Sequence, residues 1–219
     1  MTLLPFADRR EAGRALAARL VREGWRDPLV LALPRGGVPV ALDVAERLDC
    51  PLDVILVRKV GAPGQPELAI AAVVDGDPPS LIANPETEAF ARRHPDHLRA
   101  AEAEARAEIE RRRRLYLGQR KPLDVSGKTA LLVDDGLATG TTMRAAIRAV
   151  RARGAAQVVV AVPVAPAETV AELERLADAV ICLSTPPTFY AVGQFYDDFH
   201  QLDDAEVVRL LAAGRRDEV

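Results

Sequence analysis

The sequence has few cysteines, little net charge and no long apolar run, and each of these shortages excludes a class of protein. Its two cysteines, Cys50 and Cys182, lie far apart without a histidine at metal-ligand spacing, so we expect buried free thiols. The formal net charge of −3 gives no basis for general nucleic-acid binding. Charged residues interrupt positions 1–25, unlike a signal peptide, and no stretch approaches the length of a membrane span. We therefore expect a cytoplasmic protein without a membrane or nucleic-acid partner.

The segment that organises the rest of the chain is 129–142, with the sequence TALLVDDGLATGTT. Its apolar start, Thr129–Val133, has the length and composition of a buried parallel strand. Two adjacent carboxylates follow, Asp134 and Asp135, which we call the acid pair. A loop rich in glycine and threonine comes next, and apolar residues then recur at helical spacing. A strand, a loop and a helix in this order aim backbone N–H groups and the helix dipole at one point, which suits a phosphate.

The loop at 136–142, which we call the phosphate loop, has residue types that favour an anion. Gly136 and Gly140 let the backbone approach closely, and Thr139, Thr141 and Thr142 supply hydroxyl donors. The loop lacks the Gly-Lys-Ser/Thr of a Walker motif and the glycine spacing of a dinucleotide site. The acid pair would repel a bare polyphosphate, so its binding partners should be hydroxyl groups or a metal ion. A ribose 5-phosphate supplies the hydroxyl groups. An acidic turn that merely caps a helix is the alternative.

Residues 133–142 resemble the phosphoribosyl pyrophosphate motif of type I phosphoribosyltransferases. The likeness extends over roughly 8–211, where bacterial phosphoribosyltransferase-domain proteins share a Pro-Arg-Gly-Gly turn, an Arg-Lys-Val-Gly segment, a helical insert and an aromatic tail. The resemblance implies transfer of ribose 5-phosphate from phosphoribosyl pyrophosphate to a small heterocyclic or amine acceptor, with release of pyrophosphate. It also implies Mg²⁺ as cofactor, bound mainly through the substrate near the acid pair.

The resemblance assigns the candidate residues to three groups. Asp134 and Asp135 would bind the ribose hydroxyls. The residues for the 5′-phosphate would be Gly136, Leu137, Ala138, Thr139, Gly140, Thr141 and Thr142. The residues for the pyrophosphate would be Arg35, Gly36 and Gly37, assisted by Arg58 and by Lys59 as a catalytic residue. An ordinary strand–helix turn and a solvated basic strand end are the alternatives for this last group.

An aromatic segment, 189–199, is the candidate for the acceptor. The chain has five phenylalanines and three tyrosines, and five of these residues lie in this segment. Phe189 and Tyr190 are candidates to stack on a flat heterocycle, as the hood of the family does, although aromatic residues are more often core. Family members that act on 6-oxopurines carry an acidic residue at the position of Ala138. Its absence favours an adenine-, orotate- or other acceptor.

Strands that alternate with helices predict an α/β fold with a doubly wound, mostly parallel sheet. The predicted strands are 29–33, 52–57, 68–74, 80–83, 129–133, 158–164 and 179–183. The fourth is expected to pair with the third as a hairpin, and 61–67 is expected to be a loop. With 219 residues, we expect a single phosphoribosyltransferase-like domain, 1–219. It would carry a helical insertion at about 85–117, formed by one long helix, and a hood with a C-terminal helix at about 184–219.

Two other functions compete with the transferase. One is a regulatory protein that binds phosphoribosyl pyrophosphate without turnover, although no helix-turn-helix or basic stripe is evident. The other is a hydrolase that uses the acid pair, although such chemistry normally separates the acids by one residue or adds a metal triad. The arginine run at 111–114 is expected to be a solvated helix face, and a lid that closes over the diphosphate is the alternative. The long polar helix and the aromatic tail offer surfaces for a homo-oligomer.

Overall fold

A five-stranded parallel sheet forms the centre of the protein. The structure is a computed structural model that describes residues 4–76, 78–83 and 87–214. The strands of this sheet are β1 (Pro28–Ala32), β2 (Leu52–Val54), β6 (Thr129–Val133), β7 (Gln157–Val164) and β8 (Ala179–Ser184). Their order is β2-β1-β6-β7-β8, and every neighbouring pair is parallel. The motif strand β6 therefore lies in the middle, and all five of its residues are buried.

Helices cover both faces of this sheet. The α-helices of the described residues are α1 (Arg9–Leu20), α2 (Gly37–Leu48), α3 (Glu88–Arg93), α4 (Pro95–Leu117), α5 (Thr141–Ala152), α6 (Ala167–Leu173) and α7 (Asp204–Ala213), of which α3 and α4 pack on a second sheet described below. Alternate residues of β6 enter two separate hydrophobic clusters. Leu131 and Val133 pack with α1, α2 and α7, whereas Ala130 and Leu132 pack with α5. A strand buried on both faces explains the continuous apolar run. The predicted doubly wound α/β fold is confirmed.

A second, antiparallel sheet departs from the prediction. Its strands are β3 (Val57–Ala62), β4 (Gln65–Val74) and β5 (Ser80–Ala83), in that order. The prediction of one strand over 52–57 was wrong, because the chain leaves the parallel sheet after Val54 and enters β3. The loop predicted at 61–67 was also wrong. A two-residue turn, Pro63-Gly64, joins β3 to β4, and Gly64 takes the positive φ of 70° that this turn requires. The predicted hairpin of β4 with β5 is confirmed.

The insertion at 85–117 is two helices instead of the single helix predicted. The break lies at His94, and Pro95 opens α4. Proline disfavours helical geometry in the residue before it, and His94 has a φ of −125° and a ψ of 55°. All three predicted Glu–Arg pairs are present, namely Glu102–Arg106, Glu108–Arg112 and Glu110–Arg114. Residues 85 and 86 of the predicted insertion lie outside the described residues.

Helix α4 is attached to the rest of the protein by buried polar contacts. Arg113 forms ion pairs with Asp53, at 3.2 Å, and with Asp75. The hydroxyl of Tyr116 donates to Asp204 Oδ1 at 2.6 Å, which joins α4 to α7. The arginine run is therefore engaged in ion pairs, and its most buried member fastens the helix to the sheets. Within the described residues, no helix has the length and apolar character needed to cross a membrane.

Candidate active site

The acid pair lies at the carboxyl end of β6, beside the end of β1. Ala32 pairs with Val133, and the amide of Leu33 donates to the carbonyl of Val133 at 2.8 Å. Ligands of open parallel sheets bind outside the carboxyl ends of such strands. Asp134 is half-buried, whereas only 8% of Asp135 is exposed. The topology thus places the turn after β1 next to the two carboxylates.

The glycine turn, residues 34–37, packs directly against the acid pair. A Cβ on Gly36 would lie 2.0 Å from Asp135 Oδ2, and a Cβ on Gly37 would lie 2.6 Å from the carbonyl oxygen of Val133. Side-chain atoms cannot occupy such positions, so both residues must be glycine for this approach. The peptide bond between Pro34 and Arg35 is cis. The residues predicted for pyrophosphate and those predicted for ribose are therefore neighbours in the fold.

The phosphate loop runs from the acid pair into α5. Gly140 precedes the helix with a positive φ of 66° and has no side chain with which to cap the first backbone N–H groups. Two hydrogen bonds fix the start of the loop. The amide of Leu137 donates to the carbonyl of Val164 at 3.0 Å, and the Thr169 hydroxyl donates to the carbonyl of Ala138 at 2.7 Å. A helix N-terminus of this kind suits an anion.

The hydroxyls of the phosphate loop are near one another and near a cation. Thr139 is exposed and Thr142 is half-buried, and the Thr139 and Thr141 hydroxyl oxygens lie 3.2 Å apart. The guanidinium of Arg144 donates to the carbonyl of Thr139 at 2.8 Å and to the Thr141 hydroxyl at 3.2 Å. It also pairs with Glu172 at 3.0 Å. Sequence reasoning missed Arg144, because an arginine one turn into a helix normally faces solvent.

A second residue that sequence reasoning missed is Arg9, which supports the acid pair from α1. Its Nε donates to Asp135 Oδ2 at 2.7 Å, and its Nη1 donates to the carbonyl of His200 at 3.0 Å. Its guanidinium lies 3.8 Å from the centre of the Phe199 ring. The hydroxyl of Tyr196 donates to the carbonyl of Asp135 at 2.5 Å. No sequence signal links Arg9 to Asp135, which lies 126 positions away.

Burial and mutual repulsion shape the charges of the acid pair. Burial, and then the charge of Asp135, raise the pKa of Asp134 well above its ordinary value. Burial raises the pKa of Asp135 as well, but the hydrogen bond and charge of Arg9 oppose that shift. Asp135 is therefore the more readily ionised of the two. Two adjacent carboxyls, one buried and one half-buried, do not both ionise easily, and binding of a cation or of hydroxyl donors favours the charged forms.

The remaining predicted residues lie on β3 and in the aromatic segment. Arg58 and Lys59 are exposed neighbours on β3, so their side chains point to opposite faces of the antiparallel sheet. Only one of them can therefore face a ligand at the acid pair. Tyr190 is 88% exposed, whereas the Phe189 ring packs 5.1 Å from that of Phe195. The ring of Tyr190 is thus accessible to a ligand, whereas the ring of Phe189 already packs against Phe195.

The chemistry of the acid pair fits Mg²⁺ only when the ligand supplies most of the coordination. Within the described residues, no three histidine, cysteine or acidic side chains cluster as a metal site. Magnesium ions in proteins typically keep several waters and bind through one or two carboxylates and the phosphates of a substrate. A metal ion carried by a diphosphate is compatible with Asp134 and Asp135 nearby.

Comparison with known proteins identifies the family. Residues 7–200 match the model of the phosphoribosyl transferase domain. The chain belongs to this family. The proteins named "Putative phosphoribosyl transferase Rv0571c" and "Putative phosphoribosyl transferase MT0597", from two strains of Mycobacterium tuberculosis, are each 44% identical over 212 residues, which is 97% of the chain. The match covers 47% of each relative, so the chain spans about half the length of these curated proteins.

One solved structure is similar to this chain over nearly its whole length. The crystal structure of TT1426 from Thermus thermophilus is 44% identical in sequence and superposes with a TM-score of 0.83. The similarity covers 96% of this chain and 99% of that one. The resemblance to type I phosphoribosyltransferases, which extended over roughly 8–211 with the motif at 133–142 as its specific part, is confirmed by the family match over residues 7–200 together with these relatives.

Proposed function

We propose that the protein is a phosphoribosyltransferase that moves ribose 5-phosphate from phosphoribosyl pyrophosphate to a nitrogen acceptor and releases pyrophosphate. The observation that carries the proposal is the contact of the glycine turn with the acid pair, directly ahead of the phosphate loop. In this proposal the phosphate loop is one anion site, the acid pair accepts hydrogen bonds from hydroxyls, and the glycine turn is a second anion site. A sugar with a phosphate at one end and a diphosphate at the other matches that order.

The proposed transfer breaks the bond between the anomeric carbon and the diphosphate, which leaves with the bonding electron pair. The carbon bonds to the acceptor nitrogen, which loses its proton to water. Positive charge develops on the sugar ring, and negative charge develops on the departing diphosphate. Asp134 and Asp135 would accept hydrogen bonds from the ribose hydroxyls and stabilise the positive charge on the sugar. Arg35, with the backbone N–H groups of Gly36 and Gly37, would hold the diphosphate. The catalysis is mainly positioning and charge stabilisation.

Two groups complete the proposed site. The phosphate loop, residues 136–142, would fix the 5′-phosphate through its N–H groups and threonine hydroxyls, and Arg144 would keep these hydroxyls in place. Bound Mg²⁺ would neutralise part of the charge on the diphosphate. Lys59, with Arg58 beside it, would reach the diphosphate from β3. The two long side chains face opposite ways, so we propose that only one of them makes this contact.

The acceptor is proposed to be a small heterocycle, such as a nucleobase, or an amine. Within this class we favour an adenine-, orotate- or other acceptor over 6-oxopurines, because Ala138 supplies no carboxylate to the phosphate loop. Tyr190, exposed at the edge of the aromatic segment, would stack on the acceptor with help from Phe189. We also propose that 1–219 acts as one domain, in which the insertion and the hood flank the sugar site. A cytoplasmic location, where phosphoribosyl pyrophosphate would be supplied, is part of this proposal.

The proposal is tested by measuring pyrophosphate released from phosphoribosyl pyrophosphate and Mg²⁺ in the presence of single nucleobases or amines. We expect release that depends on one acceptor and that Asp134→Asn reduces by at least about tenfold. Phosphoribosyl pyrophosphate that binds but yields no pyrophosphate with any acceptor would favour the regulatory protein instead. Release without an acceptor would indicate hydrolysis.

A further inference from the structure

The two members of the acid pair have unlike surroundings. Asp135 is buried and accepts a hydrogen bond from Arg9 Nε at 2.7 Å. Asp134 is half-buried, and its Oδ1 accepts the backbone N–H of Asp135 at 2.9 Å. Across the part of the chain that the structure describes, no lysine or arginine forms an ion pair with Asp134. Asp135 therefore forms an ion pair with a cation, and Asp134 does not.

Arg9 is itself buried, and contacts on several sides fix its position. Only 7% of Arg9 is exposed, and the guanidinium has three partners in different directions. These are Asp135, the carbonyl of His200 and the face of the Phe199 ring. A planar guanidinium can donate along two edges while it stacks on an aromatic face, which a lysine cannot do. The position of the cation is thus determined by the fold.

Asp135 is also confined on its other sides. A single additional carbon on Gly36 would lie 2.0 Å from Oδ2 and 2.9 Å from Oδ1, so the glycine turn leaves no space for the carboxylate to swing toward it. The backbone of Asp135 is held as well, because the Tyr196 hydroxyl donates to its carbonyl at 2.5 Å. The orientation of this carboxylate therefore depends on Arg9 on one side and on the glycine turn on the other.

We propose that Arg9 is a positioning residue of the sugar site, whose ion pair holds the Asp135 carboxylate, charged, in the orientation that accepts a ribose hydroxyl. This inference rests on the proposed function, and it adds to it a residue from α1 that does not itself touch the sugar. It makes a specific claim about ligands. Arg9 should matter for a ligand that carries the hydroxyl, and it should matter little for the same ligand without it, because the phosphate is bound by residues 136–142.

The test compares ribose 5-phosphate with its 2-deoxy and 3-deoxy analogues by titration calorimetry. In the wild-type protein, we expect at least one analogue to bind about ten- to a hundredfold more weakly, as for loss of a hydrogen bond to a charged group. We call the affinity for ribose 5-phosphate divided by the affinity for this analogue the hydroxyl ratio. Arg9→Gln should bring the ratio close to one and leave the affinity for the analogue within about twofold of the wild-type value. Arg9→Lys keeps a cation but loses the stacking and the second donor, so it should retain part of the ratio.

Two further variants show through which residue Arg9 acts. Arg10→Gln is the matched control, because Arg10 is the next residue of α1 and also makes an ion pair at 2.7 Å, but with Asp43. Its ratio should equal that of the wild type. In an Asp135→Asn background, adding Arg9→Gln should change the ratio no further, because the carboxylate that Arg9 positions is already gone.

Each outcome decides between distinct conclusions. An unchanged ratio in Arg9→Gln, or an equal loss of affinity for all three ligands, would overturn the positioning role and leave the proposed function standing. Failure of the wild type to bind ribose 5-phosphate would overturn both. Should Arg9→Gln not fold, Arg9→Lys decides the question, since a ratio equal to that of the wild type would contradict the inference.

Discussion

A methyl group at Gly36 is the smallest change that tests the contact between the glycine turn and the acid pair. Gly36 has a φ of −60° and a ψ of −35°, which alanine adopts without strain. In open space, Gly→Ala here would stabilise the protein by about 0.4–1 kcal/mol. The added Cβ would instead lie 2.0 Å from Asp135 Oδ2 and 2.5 Å from its Cγ. Overpacking of this kind costs about 1–3 kcal/mol, and Asp135 cannot yield without disturbing its ion pair with Arg9.

We therefore expect Gly36→Ala to lower the melting temperature by roughly 2–12 °C, at about 2–4 °C per kcal/mol for a chain of this size. We also expect loss of the stabilisation that phosphoribosyl pyrophosphate and Mg²⁺ confer on the wild type, measured by thermal unfolding with and without ligand. Gly24→Ala is the control. Gly24 has nothing within 4 Å of its Cβ position but a φ of +64°, so alanine there should cost about 1–2 kcal/mol and leave ligand binding intact. Wild-type stability and wild-type ligand binding in Gly36→Ala would refute the packing argument.

Three other predictions follow from the described contacts. Arg113→Met leaves the buried Asp75 without its cation and takes the nearer of two cations from the buried Asp53, which keeps Arg120 at 3.6 Å. It should cost about 3–5 kcal/mol of unfolding free energy, whereas Arg114→Met, in an exposed pair, should cost no more than about 1 kcal/mol. The Arg113→Met deficit should grow with pH in chemical denaturation, since burial already raises the pKa of Asp75 and removal of the cation raises it further; a deficit that shrinks with pH would contradict this. Tyr190→Ala should leave the melting temperature unchanged, because the ring is 88% exposed, and should raise the KM for the acceptor without raising that for phosphoribosyl pyrophosphate; an unchanged acceptor KM removes Tyr190 from the acceptor site. Burial raises the pKa of both Cys50 and Cys182 to about 11, so their alkylation by iodoacetamide at pH 8 should be roughly a hundredfold slower than in the unfolded chain; equal rates would contradict the burial.

The parts of the site that could be predicted from the sequence are those encoded within a few residues. The acid pair and the phosphate loop form one continuous stretch, and the order of strand, loop and helix fixes their geometry locally. The glycine turn was predictable for the same reason, since a strand leads into it and a helix leaves it. Helix α7 begins with a capping box, which is also a local signal, since Asp203 and Glu206 lie three residues apart and bond reciprocally at 2.7 and 2.8 Å.

Features that depend on long-range packing could not be predicted. The split between β2 and β3 is invisible in the apolar run, because Ile55 and Leu56 are 1% and 3% exposed although they belong to neither strand. Hydrophobicity reports burial, and it does not report which sheet a residue joins. The break before Pro95, in contrast, could have been predicted, because proline is a helix-start signal that the sequence does contain. The contact of Arg9 with Asp135 requires α1 to pack over the carboxyl end of β6, which no local pattern encodes.

The most direct test of the central claim is thermal unfolding with Mg²⁺, with and without phosphoribosyl pyrophosphate, on the wild type and on Asp134→Asn/Asp135→Asn. Each protein serves as its own reference, so a change in basal stability does not affect the comparison. Ligand at ~100 times its Kd adds about 2.7 kcal/mol, which corresponds to a rise of roughly 5–11 °C. We predict this rise in the wild type and its loss in the double variant. No shift in the wild type at millimolar ligand, or an equal shift in both proteins, would contradict a sugar-phosphate site at the acid pair.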